Sequence, residues 1–149
     1  MNKSIWISVL GIQNIGDGLQ VVQTKTTGTY CFENGFHIVN YCELDEYGTA
    51  TDNILFLTET EMQFNKSGSF AGRFKFLFGK KTLAECLTPF GIMIFEVETE
   101  SYLLDVKIET IEVQLKYKLY AGDHLFLENN LSVHIEDSNI ANIDLAGKY

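Results

Sequence analysis

The residues best placed to do chemistry flank Asn34-Gly35. Asn-Gly between alternating apolar positions is the signal of a two-residue hairpin turn, which sets Glu33 opposite Phe36. One face of that hairpin then carries Tyr30 and Phe32 on the first strand and His37, Val39, Tyr41 and Glu43 on the second. Tyrosine presents an apolar ring with a polar tip, and a carboxylate among such rings is costly unless it has a partner. A ligand or cation at a barrel mouth would be such a partner. So would hydrogen bonds exchanged among the tyrosine hydroxyls and Glu43 with no ligand at all. Tyr30, Tyr41 and Glu43, joined by Arg73 from a later strand, are the candidate ligand-binding residues.

Other motifs fall away on spacing. Gly79-Lys80-Lys81-Thr82 looks like the end of a phosphate-binding loop, but the preceding glycine is Gly72, Phe74 and Phe76 alternate as a strand, and no helix follows. It reads as a basic hairpin turn. Strand 69–78 interleaves Phe70, Phe74, Phe76 and Phe78 with Arg73 and Lys75, the mixture that single-stranded nucleic-acid platforms use. All the rings are at even positions and the cations at odd ones, so the pattern is that of a barrel strand with rings inward. His37, His124 and His134 have no metal-ligand spacing, and His37 and Cys31 fall on opposite faces of their hairpin, which forbids a nucleophilic dyad between them. No catalytic residue, metal site or cofactor is expected. Cys31 faces Ile38 and Cys42 stands four residues further along, roughly 13 Å away and too far to bridge. With Cys86 the count is odd, which fits reduced thiols and a cytoplasmic protein.

The elements that position these residues are strands. The clearest, Ile111 to Leu119, is apolar at every odd position and polar at every even one. Candidate strands run over 3–12, 19–27, 29–33, 36–43, 51–58, 61–66, 69–78, 82–88, 91–101, 109–120 and 124–135, with short turns between them. Aromatic residues make up 13% of the 149-residue chain and there is one proline, which suits pleated, half-buried surfaces. Sequential strands joined by tight turns pair antiparallel, and a sheet this long closes to remove its edges. The expected fold is all-β, an antiparallel up-and-down barrel of about eight to ten strands with little helix. Only Leu83 to Leu87 and the tail 139–146 could be helical. One domain covers 1–136, and 137–149 is a tail, disordered or a short helix. The formal charge of −9 disfavours nucleic acid and anionic lipid surfaces, and no apolar run approaches the roughly 20 residues of a membrane-spanning helix.

The segments Thr26-Thr27-Gly28-Thr29-Tyr30, Tyr41-Cys42-Glu43, Thr88-Pro89-Phe90-Gly91 with Glu98-Thr99, and Tyr117-Lys118-Leu119 through Asn130-Leu131 resemble, in order and spacing, the YwiB-like bacterial family, a domain of unknown function. The resemblance runs to about Glu136. It implies a calycin or lipocalin-like barrel in a small cytoplasmic protein and supplies no catalytic residue. Trp6 follows Ser4 and Ile5 where lipocalins carry Gly-x-Trp, which argues against secreted lipocalin-type transport.

Three functions compete. The first is a non-catalytic module whose barrel holds a small apolar or aromatic ligand, with Glu43, Tyr30, Tyr41 and Arg73 as polar anchors at the mouth. The second is a structural or interaction domain with a filled barrel, working as a homodimer or with a partner protein. An enzyme is the least supported. No nucleic-acid or membrane partner is expected.

Overall fold

The structure, a computed structural model, describes residues 3–16, 18–68 and 71–138. Ten strands follow one another: β1 (Lys3–Ile15), β2 (Gly18–Glu33), β3 (Phe36–Leu44), β4 (Ala50–Leu57), β5 (Glu61–Gly68), β6 (Ala71–Leu77), β7 (Lys81–Thr88), β8 (Gly91–Val106), β9 (Thr110–Ala121) and β10 (His124–Asp137). Each pairs antiparallel with its sequence neighbours, and β1 pairs with β10 from Ile5↔Asp137 to Asn14↔Glu128, so the sheet closes on itself. The chain is an all-β, closed, antiparallel up-and-down barrel, as its alternation predicts.

The Asn34-Gly35 turn has φ of 54° and 84°, the left-handed pair that a tight hairpin needs, and it sets Glu33 opposite Phe36 and Cys31 opposite Ile38. β9 alternates buried and exposed along its length, with Ile111, Val113, Leu115, Tyr117 and Leu119 inside.

Several expectations change at the level of elements. The predicted strands 19–27 and 29–33 are one strand, β2, because Gly28 marks a close approach and not a break. A Cβ at Gly28 would collide with the Asn40 carbonyl oxygen and crowd Tyr41, its partner on β3. Leu83 to Leu87, a candidate helix, lies within β7. Phe78 does not pack inward. β6 ends at Leu77, the chain turns at Gly79, and Phe78 is 62% exposed. Phe70 and the tail segment 139–146 lie outside the described residues, and β10 itself extends to Asp137. Cys31, Cys42 and Cys86 are all free thiols.

Because the strands run up and down in order, the start of β1 and the end of β10 share one end with the β2–β3, β4–β5, β6–β7 and β8–β9 connections. This terminal end is plugged by apolar side chains. Ile5, Ile7, Leu57, Met62, Val97, Val113, Val133 and Ile135 are each at most 2% exposed. The opposite, far end carries the remaining five turns.

Gly28→Ala should lower the urea midpoint by an amount equivalent to about 1–3 kcal/mol, because β2 and β3 must separate to admit the methyl group. Gly18→Ala, whose Cβ would make only an ordinary contact of 3.9 Å with the Ile15 carbonyl oxygen, should change the midpoint little. Equal midpoints for the two variants would show that the close approach at Gly28 is not a constraint.

Candidate functional site

Above the apolar plug the barrel is hollow. A cavity of about 620 Å³ opens toward the far end between side chains of nine strands. Its wall is mainly aromatic: Phe64, Phe74, Phe76, Phe95 and Phe126, with Met93, Cys86 and several aliphatic residues. Phe76 lies 4.6 Å from Tyr117 between ring centroids, and Phe95 lies 5.3 Å from Phe126. Phe126 reaches the lumen at a register shift between Leu125 and Leu127, which interrupts the strict alternation of β10. Gly11 on β1 leaves room for the amide of Asn129, whose Oδ1 would stand 3.3 Å from a Cβ there.

Besides Gln13 on β1, two polar clusters interrupt the wall. Near the mouth, Glu43 is held from three strands. Its Oε2 accepts from Thr24 Oγ1 of β2 at 3.2 Å. Its Oε1 accepts from Asn53 Nδ2 of β4 at 2.7 Å and from Lys66 Nζ of β5 at 3.3 Å. The Glu43–Lys66 ion pair is half-buried, and the Lys66 ammonium also lies 5.0 Å from the centroid of the Phe64 ring. The carboxylate therefore finds its partners within the chain, through groups other than tyrosine hydroxyls. Deeper in, Asn129 Nδ2 donates to the Tyr117 hydroxyl at 2.9 Å, and Asn129 is 3% exposed.

Of the four residues singled out from the sequence, the fold brings Tyr41 and Glu43 together on this lumen. Tyr30 shares their face of the sheet but sits at the terminal end. There its hydroxyl is hydrogen-bonded to His37 Nδ1 at 2.8 Å, beside a small recess of about 60 Å³ that also involves Lys3 and Asp137. Arg73 stands on the outer face of β6, while Phe74 and Phe76 on either side of the next pleat lead inward. The cation at the mouth is Lys66. It was legible as an oddity, because Met62, Phe64 and Lys66 share one face of β5. Asn129, set among the inward Leu127, Leu131 and Val133, gave the same signal. Among the described residues no group of three or more His, Cys, Asp or Glu could hold a metal ion, and no helix is long and apolar enough to cross a membrane.

Burial shapes the ionisation of the tyrosines. It raises the Tyr41 hydroxyl far above its ordinary range, and the Glu43 charge raises it further. Burial likewise raises Tyr102, beside Glu61, and Tyr117, where the Asn129 amide partly offsets it. Tyr30 is also raised by burial, and His37 is lowered by it. A hydroxyl whose folded pKa is raised contributes stability that is complete below about pH 10 and is lost as pH rises beyond it. The test is an alkaline titration of the chain followed at the tyrosinate absorbance. Tyr41, Tyr102 and Tyr117 should ionise only with unfolding. A single smooth transition near pH 10 with the fold intact would contradict the buried environment.

The comparisons with known proteins agree with this architecture. The family model described as "Domain of unknown function (DUF1934)" matches residues 7–133. The chain is 26% identical over 121 residues to the "Uncharacterized beta-barrel protein YwiB" of Bacillus subtilis (strain 168), covering 80% of this chain and 84% of that protein. Its fold is similar to the crystal structure of the ywiB protein from Bacillus subtilis, with a TM-score of 0.81 and 21% identity, over 91% of this chain and 92% of that one. A ten-strand closed barrel, matched by the family model over nearly all its length, places this chain in the DUF1934 family.

Proposed function

We propose that this protein is a non-catalytic binding module whose barrel lumen takes a small, largely apolar or aromatic molecule. The observation that carries the reading is the cavity itself, about 620 Å³ and walled by five phenylalanines. Ligand sites fall in the range of roughly 300–1,000 Å³, apolar with a few placed polar groups. A close-packed interior does not leave such a space without cost, since its lining gives up dispersion contacts that a ligand would restore. Tyr41 and Glu43 are the anchors this reading retains at the lumen. Tyr30, bonded to His37 at the other end, and Arg73, on the outer face, belong to it only through the scaffold. The resemblance to calycins points the same way, since barrels of that size enclose one ligand.

The test uses N-phenyl-1-naphthylamine, a neutral probe that fluoresces on entering an apolar site. The wild-type chain should bind it at one per chain. Cys86→Phe, which sets a ring into the lumen from β7, should weaken binding at least tenfold at an almost unchanged melting temperature. Binding that survives Cys86→Phe undiminished would place the probe elsewhere and sink the reading.

Association through the outer surface is a second reading, favoured by one observation. Leu87 of β7 and Ile92 and Ile94 of β8 are 57–69% exposed on the outer face, next to Phe90 at 98%. A contiguous apolar strip of this kind often marks an interface. Sedimentation as a monomer across the accessible concentration range would count against it.

A further inference from the structure

The polar groups of the lumen differ in what they leave unsatisfied, and the difference carries information about the ligand. At the mouth, Glu43 is matched by Lys66, Asn53 and Thr24, so its charge is already answered within the chain; Asn53 Oδ1 has no donor, but Asn53 does not line the cavity. The other cavity-lining side chains are uncharged. An ionic ligand head would thus meet an ion pair that is already made and no unmatched counter-charge, while losing its hydration.

The deeper pair is different. The Tyr117 hydroxyl oxygen accepts from Asn129 Nδ2 at 2.9 Å, which turns its own proton away from that amide, and no hydrogen bond donated by that hydroxyl is found among the described residues. Asn129 Oδ1 has no donor either; it lies beside Gly11 with no accessible surface, so it meets a group in the lumen only when the amide turns. Tyr117 and Asn129 are 9% and 3% exposed, they are partners across β9 and β10, and both line the cavity. Buried polar atoms are rarely left without partners, so a donor and an acceptor without partners on two neighbouring cavity-lining residues call for a group that completes both. A carbonyl beside an N–H completes the two with separate atoms, as a hydroxyl does with one. Phe76, 4.6 Å from the Tyr117 ring, supplies an aromatic surface for the rest of the molecule.

We propose that the lumen selects a neutral aromatic molecule carrying a carboxamide-type head. Its C=O accepts from the Tyr117 hydroxyl and its N–H donates to Asn129 Oδ1, while its ring lies among Phe76 and the neighbouring phenylalanines. The terminal torsion of an asparagine side chain is broad, so a partial turn of the amide brings Oδ1 to the incoming N–H while Nδ2 keeps its bond to the Tyr117 hydroxyl. The inference rests on the binding reading above and adds the chemical class of the ligand.

Displacement of N-phenyl-1-naphthylamine from the full chain at neutral pH tests it. The competitors are 2-naphthamide, its apolar isostere 2-isopropenylnaphthalene and the anion 2-naphthoate. The amide should compete about tenfold better than the isostere, the size of effect expected when a site's buried polar groups are completed and not left open, and the carboxylate should gain no such advantage. Tyr117→Phe should bring the amide and the isostere within about threefold of each other while the neutral probe still binds. Nuclear Overhauser contacts between 2-naphthamide and the Tyr117 ring should appear in the wild-type chain, a readout independent of how the variant folds. Equal competition by amide and isostere, strongest competition by the carboxylate, or an amide preference that survives in Tyr117→Phe would each overturn the inference while leaving the binding module standing. A wild-type chain that does not take up N-phenyl-1-naphthylamine or 2-naphthamide at all would instead overturn the binding reading, and this inference with it.

Discussion

Closure of the ladder between β1 and β10 is the constraint on which the rest of this molecule depends. Once Ile7 lies opposite Ile135 and Gly11 opposite Leu131, no edge strand remains, and every inward side chain must share one interior with those of nine other strands. The side-chain period of a strand is two, so the closed register decides for each residue whether it meets the interior or water. The same closure carries an ion pair, where Lys3 Nζ lies 3.1 Å from Asp137 Oδ2 on the first and last strands.

Within that interior the chain makes two different environments. At the terminal end β-branched and aliphatic side chains meet and fill the space, and Val39, Leu55, Leu57, Met62, Val97 and Val113 have no measurable exposure. Toward the far end the wall changes to phenylalanines standing along the sheet, and flat rings on opposite walls leave a gap that branched aliphatics would have interdigitated across. The polar residues of the lumen divide with depth as well. Charge is confined to the Glu43–Lys66 pair near the mouth, where water reaches it, and neutral hydroxyl and amide groups stand deeper. This grading follows desolvation cost, which is far smaller for an amide than for an ion.

The outer surface manages the excess of acid in another way. Cross-strand lysine and glutamate pairs recur along the ladder, as at Lys81–Glu96 and Lys118–Glu100, both 3.3 Å. Side-chain hydrogen bonds to Glu96 and Glu100 hold these lysines above the usual ammonium range. Exposed pairs of this kind contribute little stability each. They favour the register in which lysines meet glutamates, although Asp105 and Glu112 stand opposite each other on β8 and β9. The same surface leaves the β7–β8 strip of Leu87, Ile92 and Ile94 without such pairs.

The alternation of apolar and polar residues, with Asn34-Gly35 and the other turn residues, determined on its own that this is an all-β antiparallel barrel, and local pairing fixed the β2–β3 register. These features are legible because a strand's two faces and a hairpin's turn are set by residues a few positions apart. The family resemblance read from the sequence agrees with the match over residues 7–133. Only the tertiary structure decided that Gly28 is a point of close strand approach and not a break, because the obstructing atom belongs to Asn40 on another strand. It likewise separated Tyr30 from Glu43, since one face of one hairpin spans both ends of a barrel. It replaced Arg73 with Lys66 at the mouth, since the parity of β5 and not that of β6 turns a cation inward. Tyr117 and Asn129 meet for the same reason. Twelve positions apart in sequence, they become neighbours only where β9 and β10 are zipped in this register, and whether the space beside them is filled or open depends on side chains from the whole circumference.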